Sequence, residues 1–220
     1  MRSDSFDVFE ELTLALNETF FMVSVSLIAA IILGGLIGLL LFITSNHLFT
    51  KNIIINEISG AIINIIRSIP FIILLVLLMP FSEAIVHTTI GPKAVIVPLA
   101  ISSIAFFARL AEVAFADVSN GVLEAAVSSG AKPIDIIVNI LIPEALPQLI
   151  KGITVTAISI IGFSAMAGTV GGGGIGDLAI HYGYQRYNTT VMFACVIVLI
   201  VIVQILQGLG DFSAKLLNKK

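Results

Sequence analysis

Charge is what this sequence has least of: 11% of its 220 residues are Asp, Glu, Lys or Arg, against 58% hydrophobic. A soluble globular domain is typically about a quarter charged, so the composition points instead to a chain dissolved in lipid. Cysteine occurs once, as Cys195 in the last apolar run, which rules out an intrachain disulfide. No Gly-x-x-x-x-Gly-Lys-Ser/Thr phosphate loop occurs anywhere, so ATP has no site on this chain. His47, His87 and His181 are scattered without metal-ligand spacing, and no nucleophile, base and orienting group can be argued together. The chain is therefore expected to be no enzyme by itself and to bind no metal or cofactor.

What is present is long uncharged runs. A hydrocarbon core of about 30 Å needs roughly 20 apolar helical residues. Thr19 to Phe49, Gly152 to Gly176 and Tyr187 to Gly210 satisfy this without a single charge. Ile58 to Phe81 is interrupted only by Arg67, and Ala94 to Ala108 is flanked by Lys93 and Arg109, whose long side chains can snorkel to opposite interfaces. The expectation is an all-α polytopic membrane protein with five transmembrane helices, at about 19–43, 58–81, 93–112, 152–176 and 187–210.

Five spans put the termini on opposite sides. With the N-terminus outside, the external segments carry Arg2, Lys93 and Arg186, while Lys51, Arg67, Arg109, Lys132, Lys151, Lys215, Lys219 and Lys220 lie inside, eight against three. That asymmetry follows the positive-inside rule and predicts N-out, C-in. Asp4, Asp7, Glu10 and Glu11 make the start acidic where a secretion signal is basic, so the first apolar run is read as structure.

Three connections are short, but the one from about Ala111 to Lys151 runs near 40 residues on the inner side. Its Ala-rich stretch ending on Gly130 reads as a short helix with a C-terminal glycine. Pro133 then suits the first turn of a second short helix, which Pro143 is expected to close. Residue types alone leave two readings open, a docking platform on the inner face or a plain amphipathic hairpin.

The segment Glu124-Ala125-Ala126, Gly130, Ile140 and Pro143 resembles the cytoplasmic signature of permeases of ABC importers with the type I transmembrane fold, with Ile142 in place of the usual leucine. Asn64 to Val76 and Phe163 to Asp177, with Tyr182 to Asn188 after them, are similar to methionine-import permeases. The resemblance extends from about 16 to 207, the expected transmembrane domain, with a coupling segment at about 119–143. It implies a bacterial cytoplasmic (inner) membrane permease for L- or D-methionine, working as a homodimer with two separate ATP-binding subunits that hold ATP and magnesium. An external methionine-binding protein would deliver the substrate, and no nucleic acid is involved. Permeation of another amino acid is the alternative within this class. An ion-gradient-driven secondary transporter would need an ionisable residue at mid-membrane, which the last two spans lack.

In such permeases the signature helix enters a cleft on the ATPase, and the small Ala125, Ala126 and Gly130 would let the partner approach closely. Glu124 would either pair with a partner base or cap its own helix. Arg67, Arg109 and Glu112 are candidates for structural roles at the inner mouth: Arg67 for packing, gating or snorkelling, and Arg109 with Glu112 as partners three apart on one helical face. Thr156, Ser159, Phe163 and Met166 form a helical stripe of modest polarity that either lines the pathway, with Met166 at its gate, or packs between helices. Gly171-x-Gly173-x-x-Gly176 matches a dinucleotide fingerprint but follows a membrane helix, not a strand, and is read as flexible backbone at the helix's outer end. Tyr182, Tyr184, Arg186 and Tyr187 beyond it suit an interfacial belt or a contact with the external binding protein.

Overall fold

The computed structural model describes residues 8–217; Arg2, Asp4, Asp7, Lys219 and Lys220, which entered the charge arguments, lie outside the described residues. Among the described residues all regular structure is helical. Helix α1 runs Val8–Ser45, α2 Ile53–Ser68, α3 Phe71–Val86, α4 Pro92–Ala116, α5 Asn120–Ser128 and α6 Pro133–Val170. A short helix α7, Gly174–Leu178, continues into a wider-wound turn at Ala179–Gln185, and α8 is Thr189–Leu217. Helices α1, α4, α6 and α8 are each long and apolar enough to cross a membrane, and α2 with α3 make a fifth span if the bent pair is counted as one.

Two expected spans need correction. The second is no continuous helix, because α2 stops at Ser68, Ile69 is extended (φ −85°, ψ 123°), and the pair bends by 108°. Pro70 is the cause: its ring disfavours helical backbone at the preceding residue and it has no N–H to continue the ladder. The fourth span does not begin after a separate helix closed by Pro143. Helix α6 runs from Pro133 straight through Pro143, and the five residues Ile137–Leu141 just before it are wound as a π-turn. A proline ring clashes with the carbonyl four residues back, here Asn139, and the widened turn removes that clash without ending the helix. The remaining bounds shift outward: α1 begins well before Thr19, and α8 continues past Gly210.

The chain forms two compact units. The first comprises the described part of Met1–Leu27 with Pro70–Ala100 and Ala157–Leu206. Met22, Phe71, Leu75, Leu99 and Ile160 form one of its cores, and Ala15, Ile175, Leu178, Val191 and Cys195 another. The second unit comprises Ile28–Ile69, Ile101–Thr156 and the described part of Gln207–Lys220. Its largest core gathers Phe42, Phe107, Phe115, Leu123, Ile136 and Leu141.

Inside a membrane, helices gain little by leaving lipid for one another, so close packing must hold them. In the second unit Gly34 and Gly38 supply it. A Cβ on Gly34 would lie 2.8 Å from the Ile104 carbonyl oxygen, and one on Gly38 2.6 Å from that of Ala108, so α1 and α4 meet backbone to backbone. Helix α2 is tied to α1 by Asn56, whose amide donates to the Leu41 carbonyl at 2.8 Å and to the Thr44 hydroxyl at 3.0 Å.

Candidate functional site

Helix α5 is nine residues long, too short to be stable alone, and packs on the core of the second unit through Leu123 and Ala126. Leu123 is completely buried in the phenylalanine-rich core of the second unit. Its C-terminus is a Schellman motif: Gly130 (φ +79°) donates to the Val127 carbonyl at 3.0 Å, and Ala131 donates to that of Ala126 at 3.2 Å. The left-handed backbone required at Gly130 is why a glycine stands there. Outside this anchoring, Glu124, Ala125, Val127 and Gly130 are exposed, while Ala126 and Ile140 are half-buried and Pro143 is exposed. Glu124 has no hydrogen bond or ion pair among the described residues and does not cap its helix. The segment thus presents an exposed surface of small residues with one unpartnered carboxylate, Glu124.

Helix α6 carries a second open surface. Val155, Ser159, Gly162, Met166 and Thr169 recur at steps of three and four along one face; Val155 and Met166 are 45% and 51% exposed, and Ser159 is half-buried. Helix α8 looks different: it exposes Phe193, Ile197, Ile200, Val201 and Ile205. A face of small, hydroxyl and thioether groups suits water or a second helix rather than hydrocarbon. Of the stripe read from sequence, the structure places Ser159 and Met166 on this face and turns the other two away. Thr156 is fully buried with its hydroxyl donating to the Gly152 carbonyl at 2.7 Å, and Phe163 stacks on Phe71 with ring centroids 4.7 Å apart. Val155, Gly162 and Thr169 share this face although the sequence pattern does not single them out; the recurrence of small or hydroxyl residues at Ser159, Gly162 and Thr169 is a signal for the last two.

In the second unit Arg109 forms an ion pair with Glu112 and donates to the Asn64 side-chain oxygen at 2.9 Å. Arg109 and Glu112 are partly buried and both lie on α4, while Asn64 is exposed on α2, so it is the Arg109–Asn64 hydrogen bond that ties the two helices. Asn64 had not been singled out, although an amide in an apolar helix is itself a signal. Arg67 is exposed in the last turn of α2, with no hydrogen-bond or ion-pair partner among the described residues.

The glycine run of the first unit is a built turn, not slack backbone. Helix α6 ends in another Schellman motif, with Gly171 (φ +78°) donating to Gly168 and Gly172 to Ala167. The start of α7 is then capped from α1: the Glu18 carboxylate accepts from the Gly174 N–H at 2.7 Å and the Thr19 hydroxyl from the Ile175 N–H at 2.9 Å. Asp177, outside the spans, has a carboxyl pushed up from its ordinary value by burial, against the attraction of His181 at 3.2 Å and with the help of the Glu18 charge. Beyond it Arg186 lies 4.2 Å over the Tyr182 ring, leaving Tyr184 and Tyr187 exposed. Among the described residues no group of three His, Cys, Asp or Glu could hold a metal ion.

The chain is thus a multi-span helical membrane protein with an exposed short helix, α5, between its spans. Residues 30–220 match the family described as "Binding-protein-dependent transport system inner membrane component", and the chain belongs to that family. It is similar to the "Probable D-methionine transport system permease protein MetI" of Vibrio cholerae, 46% identical over 194 residues, which are 88% of this chain and 86% of that one. It is also similar to the "Methionine import system permease protein MetP" of Bacillus subtilis, 46% identical over 181 residues and 82% of each chain. Among solved structures, the inward-facing MetNI methionine ABC transporter matches over 100% of both chains at 38% identity and a TM-score of 0.92. The type I ABC-importer transmembrane fold expected from the resemblance is therefore the fold found.

Proposed function

We propose that this chain is the permease subunit of an ATP-driven methionine importer in the bacterial inner membrane. Two copies form the transmembrane pathway, and two separate ATP-binding subunits, which hold ATP and magnesium, drive it. The observation that carries the coupling half of this reading is α5, pinned by Leu123 on one side and free on the other at Glu124, Ala125 and Gly130. A short helix held rigidly at one face transmits a push from a partner cleft into the core it is packed on. Closure of the ATPase pair on ATP thus moves the membrane helices, and hydrolysis resets them. Methionine as cargo is supported by kinship with methionine permeases across most of the chain.

With the N-terminus outside and the C-terminus inside, α5 faces the ATPase, and an external methionine-binding protein delivers substrate at the opposite end. The open face of α6 lines the pathway, with Met166 at its narrowest point, where the thioether adapts its shape to close the gap. Reconstitution with the ATP-binding subunit and the binding protein tests the whole reading. ATP-dependent accumulation of labelled methionine is expected, and accumulation of a different amino acid in its place would overturn the cargo while leaving the permease. Met166→Ala should raise passive leak of substrate; an unchanged leak would remove Met166 from the gate. Single cysteines placed in Cys195→Ala background at Tyr187 and Val127 should react with impermeant thiol reagents from outside and inside respectively.

A further inference from the structure

The first unit contains a cleft of about 510 Å³ whose lining combines one acid, one base and an apolar wall. Glu18 and Asn17 stand on α1, Lys93 at the start of α4, and Phe21, Ile90 and Pro92 supply the apolar surface. Glu18 is held in place: its Oε2 accepts from the Gly174 N–H at 2.7 Å, and the absence of a side chain at Gly173 leaves room for this same oxygen, which a Cβ there would approach to 2.7 Å. Oε1 takes no part in that bond. Lys93 is exposed and has no hydrogen-bond or ion-pair partner among the described residues, so its ammonium is available to an anion. Phe21 and Ile90 are 44% and 70% exposed, an apolar surface with nothing of this chain over it.

We infer that this cleft is a reception subsite for a zwitterionic α-amino acid with an unbranched apolar side chain, occupied before the substrate enters the pathway. The Lys93 ammonium takes the substrate carboxylate, Glu18 with the Asn17 amide takes its ammonium, and the side chain lies on Phe21, Ile90 and Pro92. A thioether gains a sulfur–aromatic contact with Phe21 there. Opposite charges at the two ends of the ligand explain why one acid and one base share a cleft without pairing with each other. The volume is within the range of small-molecule sites. The inference rests on the methionine-permease reading and adds a site on the permease itself.

The test uses the ATPase–permease complex in nanodiscs without binding protein, probed with L-methionine by saturation-transfer NMR. Methionine should bind, and more tightly than 3-(methylthio)propylamine or 4-(methylthio)butanoate, each of which lacks one charge. Lys93→Gln should weaken binding about threefold, the order expected for one exposed ion pair. Glu18→Gln, which keeps an acceptor for the Gly174 N–H, should do the same. Methionine binding to Lys93→Gln as tightly as to the wild type, or binding of either singly charged analogue as tightly as methionine, overturns the subsite. ATP-driven uptake is measured on the same preparation. Normal methionine uptake with no binding at the cleft overturns only the subsite, whereas absence of methionine uptake overturns the permease's cargo.

Discussion

Two helices of this chain, α5 and α6, end in the same backbone motif and put it to opposite uses. At the end of α5, a Cβ added to Gly130 would meet nothing within 4 Å. At the end of α6, a Cβ on Gly172 would press within 2.8 Å of Val95, and one on Gly168 would run into the backbone of Gly176 and Asp177. Identical hydrogen bonding therefore closes one helix onto open surface and the other onto its own chain. The open end is where a separate subunit can approach; the closed end is a fixed turn that carries Gly174 to its cap at Glu18.

Breaking the closed end should have the largest effect. Gly168→Ala has no space for its methyl without moving backbone, so a loss of more than about 3 kcal/mol is expected, beyond ordinary overpacking. It would be seen as failure to recover folded complex by size-exclusion chromatography. Next, Leu123→Ala empties the anchor of α5 and should lower stability by about 2–4 kcal/mol, read as a fall in melting temperature together with lost assembly with the ATPase. Gly130→Val at the open end should cost only about 1–2 kcal/mol for its left-handed backbone. Its bulk should nevertheless uncouple ATP hydrolysis from uptake, and normal coupling would show that no partner approaches there.

The smallest effect concerns the turn beyond the closed end. Because the folded Asp177 carboxyl is raised by burial, the folded state holds its proton more tightly than the unfolded chain, and stability falls as pH rises from the ordinary carboxylate range through the raised value. Asp177→Asn should therefore melt higher than wild type at neutral pH by a few tenths of a kcal/mol to about 1 kcal/mol. The advantage should vanish in acid, where the wild-type carboxyl is protonated. An advantage that grows in acid would contradict the burial argument.

Much of this was legible beforehand, for reasons that differ by element. Helix α4 is legible to within a few residues because Lys93 and Arg109 bracket an uncharged run and their long side chains can reach the two interfaces. The α5 glycine was legible because Gly130 follows an Ala-rich run. The break at Ile69 carried its own signal in Pro70, which hydropathy outweighed. Pro143 misled in the other direction: only the π-turn at Ile137–Leu141 shows that a proline can be accommodated within α6.

The sequence by itself determined that the chain enters a membrane, that it has no phosphate loop for ATP, and where its small-residue signature lies, because these depend on composition and local spacing. Only the tertiary structure decided which way each helix turns. A rotation of one residue moves a side chain by about 100° around the axis. Thr156 therefore lies buried while its neighbour Val155 faces out, a difference set by packing that no local pattern encodes.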